Sequence, residues 1–281
     1  MLNIQSYSYH THTNFSDGKN TLEEMVARAK QIGFTEMGIS DHLIVHKNMK
    51  KDVSWKFLKD LDTPYVYNDD FKSLLEKYKW HCEHIRQISK KENFKLYVGF
   101  EVDYFPYDGW EEELRWFVSQ LDFDYLQTGN HFFCEEGFEN IINMTYFKQI
   151  CPDKSRYAEY VKRHFETICM AVNSGLFKFL AHIDYVRKYG PDVYDINKFG
   201  TEKQKILSAL SATGTALEIS TKGLRKIGDF YPDATLIAEA CRQNVSFVIS
   251  DDAHKTTELG ADFAKAEAVL AKYQYTSRLK F

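Results

Sequence analysis

Residues 4–32, IQSYSYHTHTNFSDGKNTLEEMVARAKQI, hold a strand, a turn and a helix in succession. Residues 4–12 read as a strand in which alternate side chains share a face, so His10 and His12 project to the same side. Asn14 to Gly18 reads as a turn, and Asn20 or Thr21 then caps a helical pattern carried by Leu22, Met25, Val26 and Ala29. Two imidazoles, followed closely by Asp17, therefore stand at the C-terminal end of a strand that leads into a helix. Taken alone, His-Thr-His suits a polar surface strand as well as a metal pincer.

Outward from this unit the same alternation recurs. Strand-like runs fall near 4–12, 35–41, 95–104, 123–131, 177–185, 215–221 and 245–251. Helical periodicity fills 21–32, 70–91, 110–120, 155–174, 201–212, 233–243 and 258–273. Repeated βα units predict an α/β fold, a parallel sheet with helices outside that is either open or closed into a TIM-like barrel. No repeat or Gly/Ser-rich linker divides the 281 residues, so a single domain over 1–281 is expected. The connection at 46–67 is too long for an ordinary βα loop and is expected to be a lid over the active-site face.

Bulk properties narrow the function class. Hydrophobic residues make up 44% and aromatic residues 15%, enough for a buried core. A formal net charge of −4 carries no electrostatic signature for nucleic acid or anionic membrane, which points to a small soluble substrate. The opening MLNIQSYSYH has no basic region followed by an apolar run, and no stretch of about 18 apolar residues occurs, so a cytoplasmic protein is expected. Cys82, Cys134, Cys151, Cys169 and Cys241 are scattered without a CxxC pair and read as reduced, structural thiols. No GxGxxG follows the first strand, so a Rossmann nucleotide site has no support.

The ends of the expected strands carry the chemistry. In order they deliver His10 and His12 with Asp17, Asp41 and His42, Glu101 and Asp103, His131, His182 and Asp184, Glu218, and Asp251, Asp252 and His254. In a barrel these ends converge on one face. So many imidazoles and carboxylates in one pocket require compensating positive charge, and divalent metals are its natural source. Imidazole donors favour zinc, iron or manganese over calcium or magnesium. The inventory exceeds one mononuclear site, and Glu101 suits a bridging role. Asp41, Asp103, Asp184 and Glu218 are expected to be hydrogen-bonded structural groups, with Glu218 able to orient a ligand histidine. His81 and His84, three apart on a helix, are expected at the surface; His164 reads as structural, and His46 lies at the lid's edge.

The ordered set HTHTNFSDG, SDHL, GFEVDYF, the isolated His131, AHIDYVRKYG, EISTKGLRK and SDDAH resembles the PHP superfamily, named for polymerase and histidinol phosphatase, and within it the histidinol-phosphate phosphatases. The resemblance covers nearly the whole chain and implies a distorted (β/α)7 barrel, TIM-like and of the PHP type. It also implies three divalent ions (zinc, iron or manganese): one on His10, His12, Glu101 and Asp252, a second on Glu101, His131 and His182, a third on Asp17, His42 and His254. Two departures stand out: SDDAH makes Asp251 a bystander, and Ser220 replaces the usual asparagine of EISTKGLRK.

The activity so implied is hydrolysis of L-histidinol phosphate to L-histidinol and phosphate in histidine biosynthesis, by a hydroxide bridging two metals. Asp252 or His254 is expected to handle protons. Arg187 and Arg225, on loops after ligand strands, and Lys222 are candidate phosphate contacts. The alternatives are another phosphomonoester, phosphotyrosine, or a PHP nuclease, the last disfavoured by the absence of basic clusters. No nucleic-acid or membrane partner is expected.

Overall fold

The computed structural model describes residues 4–281. Its strands are β1 (Tyr7–Ser8), β2 (Glu36–Ile39), β3 (His42–Val45), β4 (Tyr67–Asn68), β5 (Lys95–Val102), β6 (Tyr125–Thr128), β7 (Phe132–Cys134), β8 (Ile141–Asn143), β9 (Phe179–Leu180), β10 (Ala216–Ser220) and β11 (Phe247–Ser250). Seven of them pair in the order β1-β2-β5-β6-β9-β10-β11, every adjacent pair parallel. Between β11 and β1 one parallel bridge, Thr11 with Ala253, draws the ends together, with the His12 amide donating to the Ala253 carbonyl at 2.9 Å. The result is a nearly closed, distorted (β/α)7 barrel, as expected.

The helices follow the periodicity: Leu22–Gln31, Leu75–Glu92, Trp110–Ser119, Tyr157–Asn173, Gly200–Thr213, Ala234–Arg242 and Phe263–Lys272. The first shows why. Thr21 caps it in a capping box with Glu24, and Leu22, Met25, Val26 and Ala29 form the buried stripe. A large core lies between strands and helices, and a smaller one of Tyr9, Tyr97, Tyr125, Phe179, Ala216 and Val248 fills the N-terminal half of the barrel's interior. None of the helices among the described residues is long and apolar enough to cross a membrane.

Three features depart from the sequence reading. The run near 35–41 ends at Ile39, turns through Ser40 and Asp41, and resumes as β3, which pairs with the upper part of β5 so that His42 lies opposite Glu101. A hairpin, β7–β8, follows His131 directly. A short helix, Lys222–Ile227, follows β10 and carries Lys222 into the site. All three are short excursions at the C-terminal rim, where helical or alternating periodicity has too few residues to register.

Candidate active site

Glu101 occupies the centre of the barrel mouth. Its Oε2 lies 3.2 Å from His10 Nε2, from His12 Nε2 and from His42 Nδ1; its Oε1 lies 2.8 Å from His182 Nε2 and 3.7 Å from His131 Nε2. Asp252 Oδ1 lies 3.5 Å from His10, and 3.4 Å from both His12 and His254. Asp17 completes the outer edge, 3.1 Å from His254 Nε2 and 3.5 Å from His42 Nε2. The nine residues singled out as metal donors therefore meet at one place.

The rings are held from behind. Glu218 Oε1 lies 2.6 Å from His10 Nδ1, and its Oε2 accepts from the His182 amide at 2.8 Å. Asp103 accepts from the His131 amide and lies 2.9 Å from its Nδ1. Such outer carboxylates fix the tautomer and aim of an imidazole. Asp41 serves the first loop, accepting from the Thr13 amide at 2.8 Å and from the Thr13 and Ser16 hydroxyls. His182 and Asp252 take φ of 24° and 46°, a backbone region that non-glycine residues seldom occupy and that concentrates at functional sites.

Electrostatics show what the cluster lacks. Burial alone would depress His10, yet Asp252, Glu218 and Glu101 outweigh it and hold its pKa well above the ordinary value. His12, likewise disfavoured by burial, is brought up to about 9 by Asp252 and Glu101. Against the same burial, Glu101 is held well below the usual carboxylate range by His10, His131 and His42. His10 Nε2, both nitrogens of His12, His42 Nδ1 and Asp252 Oδ1 are buried with no hydrogen-bond partner among the described residues. Buried polar atoms left so are costly unless a ligand satisfies them. Lys222 and protonated imidazoles compensate Asp252, while Glu101 and Asp17 depend chiefly on the imidazoles; divalent ions fit the same demand and the same donor atoms.

Four overlapping sets have donor atoms within 4.8 Å of one another: His12, Asp17, His42 and His254; His10, His182 and Asp252; His10, His12 and Glu101; and His42, Glu101 and His131. The first of these contains the Asp17, His42 and His254 group that the family pattern implies, and the shared membership of His10, His12, His42 and Glu101 packs all the donors into one continuous cluster.

Above the donors opens a cavity of about 410 Å³, within the usual size of small-ligand clefts. Lys19, Lys188, Lys222 and Lys226 are its cationic lining. Lys222 Nζ lies 2.9 Å from Asp252 Oδ2 and 3.3 Å from His254 Nδ1. Lys188 is open to solvent at the rim and donates to the Tyr185 hydroxyl at 2.7 Å. Crowding by protein, then Lys222 and Lys226, lowers its ammonium to about 8.

The expected arginines are elsewhere. Arg187 is turned from the cavity toward Asp184 (3.1 Å), Asp229 (2.6 Å) and the Phe230 carbonyl (2.8 Å), which already satisfy its charge. Arg225 donates to the Asp251 carbonyl at 2.6 Å and does not line the cavity either. His81 is also corrected. It is buried rather than exposed, stacked on Phe15 at 3.7 Å with Nε2 2.9 Å from Asp41, because its helix packs on the loop carrying Asp17. His46 is buried with Nε2 2.9 Å from the Phe138 carbonyl, away from the cavity. Lys188 was missed although it sits in the quoted AHIDYVRKYG; Tyr67, Asn143 and Thr145, also at the cavity, had no sequence signal beyond lying in the long connections.

A parallel barrel with this concentration of imidazole and carboxylate donors at its C-terminal mouth defines a divalent-metal-binding barrel of the PHP type. The PHP domain family model matches residues 8–222, and the chain belongs to that family. A Deinococcus radiodurans protein named probable histidinol-phosphatase is 27% identical over 225 residues, covering 75% of this chain and 78% of its own. A Thermotoga maritima protein of the same name is 25% identical over 273 residues, covering 95% and 91%. The fold is similar to that of a Lactococcus lactis histidinol phosphate phosphatase solved with zinc, L-histidinol and phosphate: TM-score 0.71, 20% identity, 97% of this chain and 95% of that one.

Proposed function

We propose that this chain hydrolyses L-histidinol phosphate to L-histidinol and phosphate, a step of histidine biosynthesis. The observation that carries the reading is Glu101, its two oxygens shared among five imidazoles beneath a lysine-rimmed cavity. The names of the relatives and the ligands of the Lactococcus lactis enzyme support the substrate.

His10, His12, Asp17, His42, Glu101, His131, His182, Asp252 and His254 would hold three divalent ions, of zinc, iron or manganese. Bound there, such ions supply water of lowered pKa and neutralise phosphate charge. The chain's own part is orientation and charge. Glu218 and Asp103 hold the His10 and His131 rings, while Lys222 ties Asp252 to His254, the pair assigned to proton transfer. Lys188, Lys222 and Lys226 take the phosphate-facing role expected of the arginines, as point charges rather than forked donors.

The test is phosphate release by metal-loaded protein, with kcat/KM for L-histidinol phosphate compared with glycerol phosphate and p-nitrophenyl phosphate. A marked preference for the first is expected. Equal rates on all three would sink the substrate while leaving the reaction class, and a metal content below two ions per chain would remove the multinuclear centre.

A further inference from the structure

The connection after His42 and the hairpin after His131 are tied into one body. His46 Nε2 meets the Phe138 carbonyl at 2.9 Å, and Asn48 Nδ2 donates to the Glu139 carbonyl at 2.9 Å. The Ile141 amide donates to Asp52 Oδ2 at 3.1 Å, and the Asn143 amide to Ser54 Oγ at 2.8 Å. Phe57 stacks on Tyr146 at 4.3 Å. Residues 46–67, expected as a lid, are thus fastened to the hairpin through their first half, from His46 to Phe57, and only their last residue, Tyr67, lines the cavity.

This body is registered against the donor cluster at both roots. β3 begins at His42 and pairs with β4 so that Ile44 lies opposite Tyr67. β7 begins immediately after His131, whose carbonyl accepts from the Met144 amide at 2.9 Å. A wall rooted in two donors is held in fixed register with the donor cluster, as positioning of a substrate requires.

The wall's chemistry differs from that of the rest of the cavity. Its lining side chains, Tyr67, Asn143 and Thr145, are uncharged and continue through Thr145 Oγ1, 3.5 Å from the Tyr189 hydroxyl, whereas the charge of the cavity comes from Lys19, Lys188, Lys222 and Lys226 and from the carboxylates and imidazoles of the floor. Asn143 Oδ1 already accepts from the Thr145 amide at 3.0 Å, which fixes the amide and leaves Nδ2 without a partner among the described residues. The Tyr67 hydroxyl has none either, and burial keeps it protonated. Neutral donors beside aromatic surface suit a planar nitrogen heterocycle and are poor partners for a dianion.

We propose that residues 46–68 and 132–146 form one specificity wall, in which the Tyr67 hydroxyl and the Asn143 amide hold the heteroaromatic leaving alcohol while the lysine side holds phosphate. This deepens, and rests on, the phosphomonoesterase reading.

Tyr67→Phe removes only a hydroxyl, and Asn143→Ser keeps a cap for Thr145 while deleting the amide donor. Each should raise KM for L-histidinol phosphate and the inhibition constant of L-histidinol by about fivefold to tenfold, the effect of one lost hydrogen bond. The inhibition constant of inorganic phosphate and KM for glycerol phosphate should stay within about twofold, since their contacts are the lysines rather than these two groups. Equal weakening of L-histidinol and phosphate, or of neither, overturns the wall. Wild-type protein showing no preference for L-histidinol phosphate sinks the substrate reading instead. The wall is then judged on the ester that wild type hydrolyses best: a selective rise in its KM in Tyr67→Phe sustains the wall, and no rise overturns it.

Discussion

Along β5, Tyr97, Gly99 and Glu101 share one face, the one turned into the barrel. Toward the N-terminal end the Tyr125 ring covers Gly99, its hydroxyl donates to the Tyr9 carbonyl, and Phe281 packs on it at 4.8 Å. Two residues further on, Glu101 faces five imidazoles, and His10 Nε2, His12 Nε2 and His42 Nδ1 among them have no hydrogen-bond partner among the described residues. The lower end is filled because aromatic rings occupy its volume and the Tyr9 and Tyr125 hydroxyls are paired, with Glu36 and with the Tyr9 carbonyl; the upper end gathers charged donors that suit cations. A glycine marks each. A methyl group at Gly99 would meet the Tyr125 ring, and one at Gly129 would meet Glu101 Oε1 and the His182 ring. One barrel interior thus separates stability from chemistry over two residues of strand.

The strongest way to break that separation is Glu101→Gln. The amide keeps the shape and loses the charge shared by five imidazoles, so metal content should fall and kcat/KM drop beyond the about 10–100-fold typical of losing an outer partner. Metal analysis beside circular dichroism checks it; retained metal with full activity would remove Glu101 from the centre. Gly129→Ala should act on the same end more mildly, costing about 100-fold in kcat through displaced donors, with little change in Tm. Its counterpart Gly99→Ala should do the reverse, costing about 1–3 kcal/mol by overpacking against Tyr125 while metal content and kcat stay near wild type. If both variants lose stability and metal together, the two ends are not independent.

A smaller effect sharpens the picture at the rim. The Lys188 ammonium is pushed down to about 8 by burial of its charge and by Lys222 and Lys226, against the opposing pull of Asp252 and Asp17. It is charged below that pH and neutral above, so kcat/KM for a phosphate ester should fall as pH rises through about 8. Lys188→Arg keeps its charge to far higher pH and should move that alkaline limb upward. An unshifted limb would assign it to another group.

Much of the donor set was legible because a ligand at a strand end is a local pattern: His10-x-His12 and Asp252-x-His254 each keep a strand's two-residue period. The βα alternation was legible for the same reason, since each element carries its own periodicity. Arg187 misled because adjacency in sequence to a donor strand says nothing about which carboxylates wait nearby in space; Asp229, 42 residues later, claims its charge. His81 misled because a helix position reads as outer until the loop it packs on is known.

By itself, then, the sequence determined the order of strands and helices, the residue types at each strand end and hence the demand for metal, since these follow from short-range periodicity and side-chain chemistry. Only the tertiary structure decided which cations face the cavity, which carboxylates stand behind which imidazoles, and how the 46–67 and 132–146 segments join into one wall. Those are contacts between residues far apart in the chain, fixed by packing and by competition among charges for the nearest partner.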